Sequence, residues 1–133
     1  MEPQEPTLQE STLQESTLQE STRGPLSREQ IVRFADAVDD HNPVHVDEAF
    51  AQAAGLPSVI AHGPLTVALA LDAVVEQIGP ARLRSAQARL SAPVFPGDVL
   101  NVVPTEKGPE IVLEVRKADG TPVATIALAG DGI

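Results

Sequence analysis

Residues 60–79, reading Ile-Ala-His-Gly-Pro-Leu-Thr-Val-Ala-Leu-Ala-Leu-Asp-Ala-Val-Val-Glu-Gln-Ile-Gly, constrain the fold more than any other stretch. Pro64 stands at the expected first turn of a helix, where its missing N–H costs nothing. Leu65, Val67, Ala68, Leu69, Ala70, Leu71, Ala73, Val74, Val75 and Ile78 then leave almost no polar face. A helix apolar on nearly every side belongs inside a core. At about fifteen residues it runs roughly 22 Å, short of a bilayer span, and Gly79-Pro80 stops it. The N–H groups at its start, near His62 and Gly63, have no intrahelical partners and lie at the positive end of the helix dipole. Such a start suits a carbonyl oxygen or another partial negative charge. It suits equally a plain core helix behind a tight turn.

The chain of 133 residues is long enough for one domain with one core. Its first part is different in kind. Thr-Leu-Gln-Glu-Ser occurs three times in succession, at 7–11, 12–16 and 17–21. A period of five matches neither a helical face nor strand alternation, and three leucines among Glu and Gln offer little apolar surface to offset chain ordering. Residues 1–24 are therefore expected to be a disordered, low-complexity tail, with a transient helix as the alternative. Residues 25–133 form the expected domain.

Within that domain, Ser27-Arg-Glu-Gln30 fits a capping box. Ile31, Phe34, Ala35 and Val38 follow helical spacing, predicting a helix over 28–38. Asp39-Asp-His-Asn-Pro43 is a breaker-rich loop. Asp47 reads as the N-cap of a short helix, Glu48 to Ala54, stopped by Gly55. From Leu83 the period becomes two. Strands are expected over 83–94, 98–105, 110–116 and 123–129, and short turns make them antiparallel neighbours. Helices followed by such a sheet give an α+β fold. The apolar helix can bury its perimeter only if the sheet curls round it, and one flank stays open unless a second copy covers it.

Several classes of function fall away at this stage. With no cysteine there is no disulfide, thiolate nucleophile or Cys-based zinc site. A net charge of −10 opposes nucleic-acid binding, and three phenylalanines without Trp or Tyr leave little on which bases could stack. No run of eighteen apolar residues and no leader pattern is present. The expectation is a cytoplasmic protein that binds neither nucleic acid nor membrane.

Asp40-His-Asn-Pro-Val-His45 sits where the first helix breaks. Pro43 keeps Asn42 out of the helical region, and the bend lets Asp40 and His45 converge. A carboxylate beside an imidazole is an acid–base pair, the histidine titrating near neutrality and the carboxylate setting its tautomer or holding a water. The same residues are also ordinary turn and cap formers. Together with the donors at His62-Gly63, the pair would equip proton chemistry beside a thioester carbonyl. Ser58 and Thr66 lie nearby without a nucleophile-elbow context. Asp40, His41, His45 and His62 lack a recognised metal-site spacing, so neither metal nor cofactor is expected.

Residues 34–51, Phe-Ala-Asp-Ala-Val-Asp-Asp-His-Asn-Pro-Val-His-Val-Asp-Glu-Ala-Phe-Ala, resemble the hydratase motif of the MaoC-like, (R)-specific enoyl-CoA hydratase family, with its Asp-x-Asn-Pro-x-His core. Ile60-Ala-His-Gly-Pro-Leu-Thr66 is similar to that family's lead into its central helix, and Pro93-Val-Phe-Pro-Gly-Asp98 to the segment before its later strands. The resemblance covers about residues 25–130. It implies the hotdog fold, a long helix wrapped by an antiparallel sheet and working as a dimer. It also implies that Asp40 and His45 activate a water that adds across a trans-2-enoyl thioester, or leaves in the reverse direction. The Gly63 N–H would polarise the carbonyl, Asn42 would position the loop, and His62 would shape the turn or contact substrate.

Several positions depart from the family pattern. Val38-Asp39 stands where Ser-Gly is common, Pro64 where Met is usual, and Leu71 near the place of a substrate-binding serine. The strand that normally precedes the first helix is missing unless residues 17–25 supply it. Arg82, Arg84 and Arg89 are the local basic group that could meet a phosphate of coenzyme A or of an acyl carrier protein, or simply face solvent. The expected partners are an acyl-CoA or acyl-carrier-protein thioester and a second hotdog chain, identical or related. The alternatives are a non-catalytic hotdog subunit and a hotdog thioesterase.

Overall fold

A computed structural model of the chain describes residues 18–132. Alternating apolar residues build a five-stranded antiparallel sheet from β1 (Ser21–Arg23), β2 (Leu83–Leu90), β3 (Leu100–Lys107), β4 (Glu110–Lys117) and β5 (Pro122–Gly130), in the order β1-β3-β4-β5-β2. Register puts Val102 opposite Val115, Leu113 opposite Ile126, and Ile126 in turn opposite Ala88. These residues share one face, as period-two alternation requires. Against the sheet lies the sixteen-residue α4 (Gly63–Ile78), preceded in the chain by α1 (Arg28–Val38), α2 (Pro43–Val46) and α3 (Glu48–Ala53). No helix among the described residues is long and apolar enough to cross a membrane.

The α+β expectation and its wrapped helix are realised, with three differences in detail. The strand beginning at Leu83 ends at Leu90 instead of Val94, and it pairs with β5 rather than with the strand that follows it. The connection over 91–99 is too long to be a hairpin and carries the chain to the other side of β4 and β5. Second, Val38, the last member of the predicted apolar face of α1, is half exposed, while Ile31 and Ala35 are fully buried. Asp39 ends the helix in a left-handed conformation (φ 57°) before that face completes another turn. Third, the sheet takes its edge strand from within the expected tail. Ser21–Arg23 pairs with Leu100–Val102, so the option of a strand drawn from 17–25 is the one adopted. The first two pentapeptide copies fall outside the described residues.

The junction after β1 is close-packed. Leu26 N–H donates to the Asp98 carbonyl at 2.9 Å, and a Cβ added to Gly24 (φ 115°) would stand 2.8 Å from that same oxygen. Glycine is required there by both conformation and space. Ser27 and Gln30 then form the expected reciprocal capping box. On α4, Leu65, Thr66, Ala70, Ala73 and Val74 are buried against the sheet. Pro64, Val67, Ala68 and Leu71 instead line an open apolar hollow of about 420 Å³ shared with Leu90.

Two substitutions separate packing from capping. Leu113→Ala, at a fully buried site, is expected to lower stability by about 2–5 kcal/mol. Ser27→Ala, which removes one cap, is expected to cost about 1 kcal/mol. Urea unfolding followed by circular dichroism reads both, since the chain has no Trp or Tyr to report by fluorescence.

Candidate active site

The break after α1 is built from side chains that compete for backbone donors. Asp39 accepts the left-handed conformation more readily than a branched residue would. Asp40 Oδ1 accepts the Asn42 N–H at 3.3 Å, and Asn42 Oδ1 accepts the Val44 N–H at 3.2 Å. With Pro43 at its first position, α2 is a single helical turn. The breaker-rich reading of 39–43 passed over this turn, although the Asn-Pro cap signal was present. Its purpose is visible in the next contacts. Ile60 N–H donates to the Val44 carbonyl at 3.0 Å, and His45 Nδ1 lies 2.7 Å from the Ile60 carbonyl.

A carbonyl only accepts, so His45 carries a proton on Nδ1, and in the neutral ring Nε2 is the nitrogen with the free lone pair. The His62 ring stacks on His45, with centroids 3.7 Å apart and planes 20° from parallel, and Phe34 closes its other side at 5.1 Å. His62 Nε2 donates to the Asp40 backbone carbonyl at 3.0 Å. His62 is 1% exposed, and its Nδ1 is buried without a partner among the described residues.

A carboxylate oxygen of exposed Asp40 and one ring nitrogen each of His45 and His62 lie within 4.8 Å of one another. Distance alone would suit a metal ion, but the rings argue against one. Nearly parallel imidazoles send their in-plane lone pairs side by side, and an ion about 2.0–2.1 Å from each nitrogen would lie far out of at least one plane. Moreover, one nitrogen of each ring is already committed to a carbonyl. The arrangement suits a water molecule, which can hydrogen-bond to Asp40 and to the bare Nε2 of His45.

At the start of α4, Leu65 N–H and Thr66 N–H both turn onto the His62 carbonyl, at 3.0 and 3.2 Å. Pro64 has no N–H. The Gly63 amide is therefore left without a helical acceptor, at the positive end of the dipole. It borders a second hollow of about 320 Å³ whose walls include Ile60, Thr66, Leu90, Ser91 and Val94. A Cβ at Gly63 would stand 2.5 Å from Leu90 Cδ1, so the close approach of that leucine depends on glycine.

Asp40, His45 and His62 thus come together, and Gly63 follows in the chain. Asn42 is placed as a turn former. Asp40 and His45 do not themselves wall the hollow at Gly63; Ile60 joins the two places, its carbonyl holding His45 and its other atoms lining the hollow. Asp39 points away, 97% exposed and 3.6 Å from His41. Of the basic group, Arg82 binds the carbonyls of Asp131 and Gly132, and Arg84 binds the Asp131 carboxylate. Arg89 is exposed with no hydrogen-bonding partner among the described residues.

A long helix wrapped by a five-stranded antiparallel sheet, with an Asp–His loop pinned beside the helix start, defines a hotdog-fold protein. The likeness extends to sequence. The chain belongs to the MaoC-like domain family, whose model matches residues 8–126. It is similar to the R-hydratase PhaJ1 of Pseudomonas aeruginosa (30% identity, 82% of this chain and 75% of that one, TM-score 0.72). It also resembles a chain of the ChsH1–ChsH2 complex of Mycobacterium tuberculosis (25% identity, 86% and 94% covered, TM-score 0.64). The 3-hydroxyacyl-thioester dehydratase Y of that organism is 39% identical over 94 residues, 65% of this chain and 32% of that relative. The chain therefore spans about a third of that dehydratase.

One group in the loop has a perturbed titration. The hydrogen bond that His41 Nε2–H donates to Asp36, 2.8 Å away, raises the pKa of His41, opposed by desolvation and assisted by the charges of Asp36, Asp39 and Asp40. A raised folded pKa stabilises the fold below the unfolded value and is lost as pH rises through the folded one. An NMR titration should place His41 above the ordinary histidine range, and Asp36→Asn should bring it back down.

Proposed function

We propose that this protein adds water to trans-2-enoyl thioesters to give (R)-3-hydroxyacyl products, or removes it in reverse. The observation that carries the reading is the meeting of the Asp40 carboxylate with His45, whose free Nε2 follows from the Nδ1 bond to Ile60. The names of the hydratase and dehydratase relatives support it. A water between Asp40 and His45 gives up one proton to the pair as its oxygen bonds to C3. The electrons of the double bond pass to the thioester oxygen, where the Gly63 N–H and the α4 dipole stabilise the enolate charge. A proton returned to C2 completes the addition of one water. The substrate handle is coenzyme A or an acyl-carrier phosphopantetheine.

The same reading extends to assembly. Among the described residues the outer edge of β2 has no neighbouring strand, and the α4 flank beside it is apolar and open. A second hotdog chain, identical or related, pairs with that edge and covers that flank. Likeness to a chain of a two-component complex supports this arrangement.

Loss of the enoyl-thioester absorbance from crotonyl-CoA tests the chemistry. Asp40→Asn and His45→Gln are each expected to reduce the rate by about 10²–10⁴-fold without changing the circular dichroism spectrum. Equal rates in all three proteins would remove the assigned roles, and release of free coenzyme A thiol in place of hydration would mark a thioesterase. For assembly, sedimentation equilibrium should give twice the chain mass, and Ala68→Arg on the open flank should shift it toward monomer.

A further inference from the structure

We infer that Thr66 is a second catalytic donor, its hydroxyl binding the same thioester carbonyl oxygen as the Gly63 amide; this rests on the hydratase reading above. Gly63 and Thr66 are three residues apart on α4, which places them on one side of the helix, and both border the 320 Å³ hollow. Thr66 is 3% exposed. A buried helical threonine ordinarily satisfies its hydroxyl on a carbonyl one turn back, here that of His62. That carbonyl already receives the N–H groups of Leu65 and Thr66. The Thr66 hydroxyl makes no hydrogen bond among the described residues, and its oxygen is not one of the side-chain atoms both sealed from solvent and unpartnered. The hollow is its remaining outlet.

The chemistry of the hollow selects the ligand. Ile60, Ala61, Leu90, Pro93 and Val94 make its walls largely apolar. Ser91 is the other hydroxyl there, and it is turned away to the Pro122 carbonyl at 3.3 Å. Two donors without acceptors among the described residues, one amide and one hydroxyl, therefore face a small apolar space at the positive end of a helix. An uncharged acyl group ending in a carbonyl oxygen matches that set: its chain meets the walls and its oxygen takes both donors. Because charge on that oxygen grows as the enolate forms, the hydroxyl contributes more to the transition state than to binding. The nucleophile-elbow pattern sought at Thr66 in the sequence asks for attack by the hydroxyl. Donation needs no such motif, only a free O–H in this place.

Thr66→Val keeps the shape and removes the donor, whereas Thr66→Ser keeps the donor; Thr66→Ala replaces the valine form if its melting temperature shows that it does not fold. With crotonyl-CoA, Thr66→Val is expected to lower kcat roughly 10²-fold with KM little changed, and Thr66→Ser to retain most of the rate. The second readout needs no turnover. Isotope-edited infrared spectroscopy of bound butyryl-CoA, labelled at the thioester carbon, should show a carbonyl stretch lowered by the wild type and less lowered by Thr66→Val. Valine and wild-type proteins identical in both measurements would overturn the role of Thr66, while loss of hydration in Asp40→Asn would leave the hydratase reading standing. Should the wild type hydrate nothing, that reading fails, and the infrared comparison still decides Thr66. An unshifted stretch, or no binding of butyryl-CoA, overturns it.

Discussion

Enclosure of α4 is the constraint from which the rest of the architecture follows. A helix with apolar residues on most of its circumference loses stability wherever water reaches it. The sheet meets this by presenting Val102, Leu113, Val115, Ile126 and Leu128 as a buried face toward the helices. The position of the helix start is then no longer free. Ala61 N–H is held by the Val94 carbonyl at 2.8 Å, and Leu90, the last residue of β2, lies over Gly63. The one amide without a helical acceptor consequently opens into a hollow between protein walls. There, the dipole acts with less solvent screening than at an exposed helix end.

His62 joins this helix to the loop that precedes it. Its backbone carbonyl closes the first turn of α4, its Nε2–H holds the Asp40 carbonyl, and its ring supports the face of His45. Three parts of the site are thereby fixed by one residue lying next to Gly63. The buried Nδ1 is the cost of that arrangement, since a buried acceptor without a partner is destabilising. The reading of His62 as a turn former captured its position in the chain but not its stacking partner. Nothing in the spacing of residues 45 and 62 indicates that two rings will lie 3.7 Å apart.

What could be read from the chain was what local periodicity encodes. The apolar run of α4, the capping box at Ser27 and the alternation of β4 and β5 each name their own element because the pattern repeats within it. The neighbours of β2 could not be read this way, since strand order depends on a crossover and every strand carries the same period. The Asp40–His45 convergence was legible because Pro43 and Asn42 fix a turn locally. Thr66, by contrast, was dismissed for lacking a nucleophile context, and its relevance emerges only from a saturated carbonyl one turn earlier and a hollow in front of it. Long-range hydrogen-bond accounting has no signature in a single sequence.

The pentapeptide copies show how one residue can break a degeneracy that periodicity leaves. In the third copy Leu18 packs against the core, Gln19 exchanges hydrogen bonds with Gln77 at 2.7 and 3.1 Å, and Ser21 begins β1. The earlier copies offer the same Leu-Gln-Glu-Ser-Thr, so those contacts alone do not distinguish among them. Two residues after the serine, however, they have Leu13 and Leu18, whereas the third has Arg23. Arg23 reaches both Asp72 and Glu76 on α4, at 3.1 and 2.6 Å, with its own side chain only 18% exposed. Leucine there would leave two acidic side chains on one helical face without their counter-charge. The third copy alone ends in a cation that the acidic edge of the buried helix can hold.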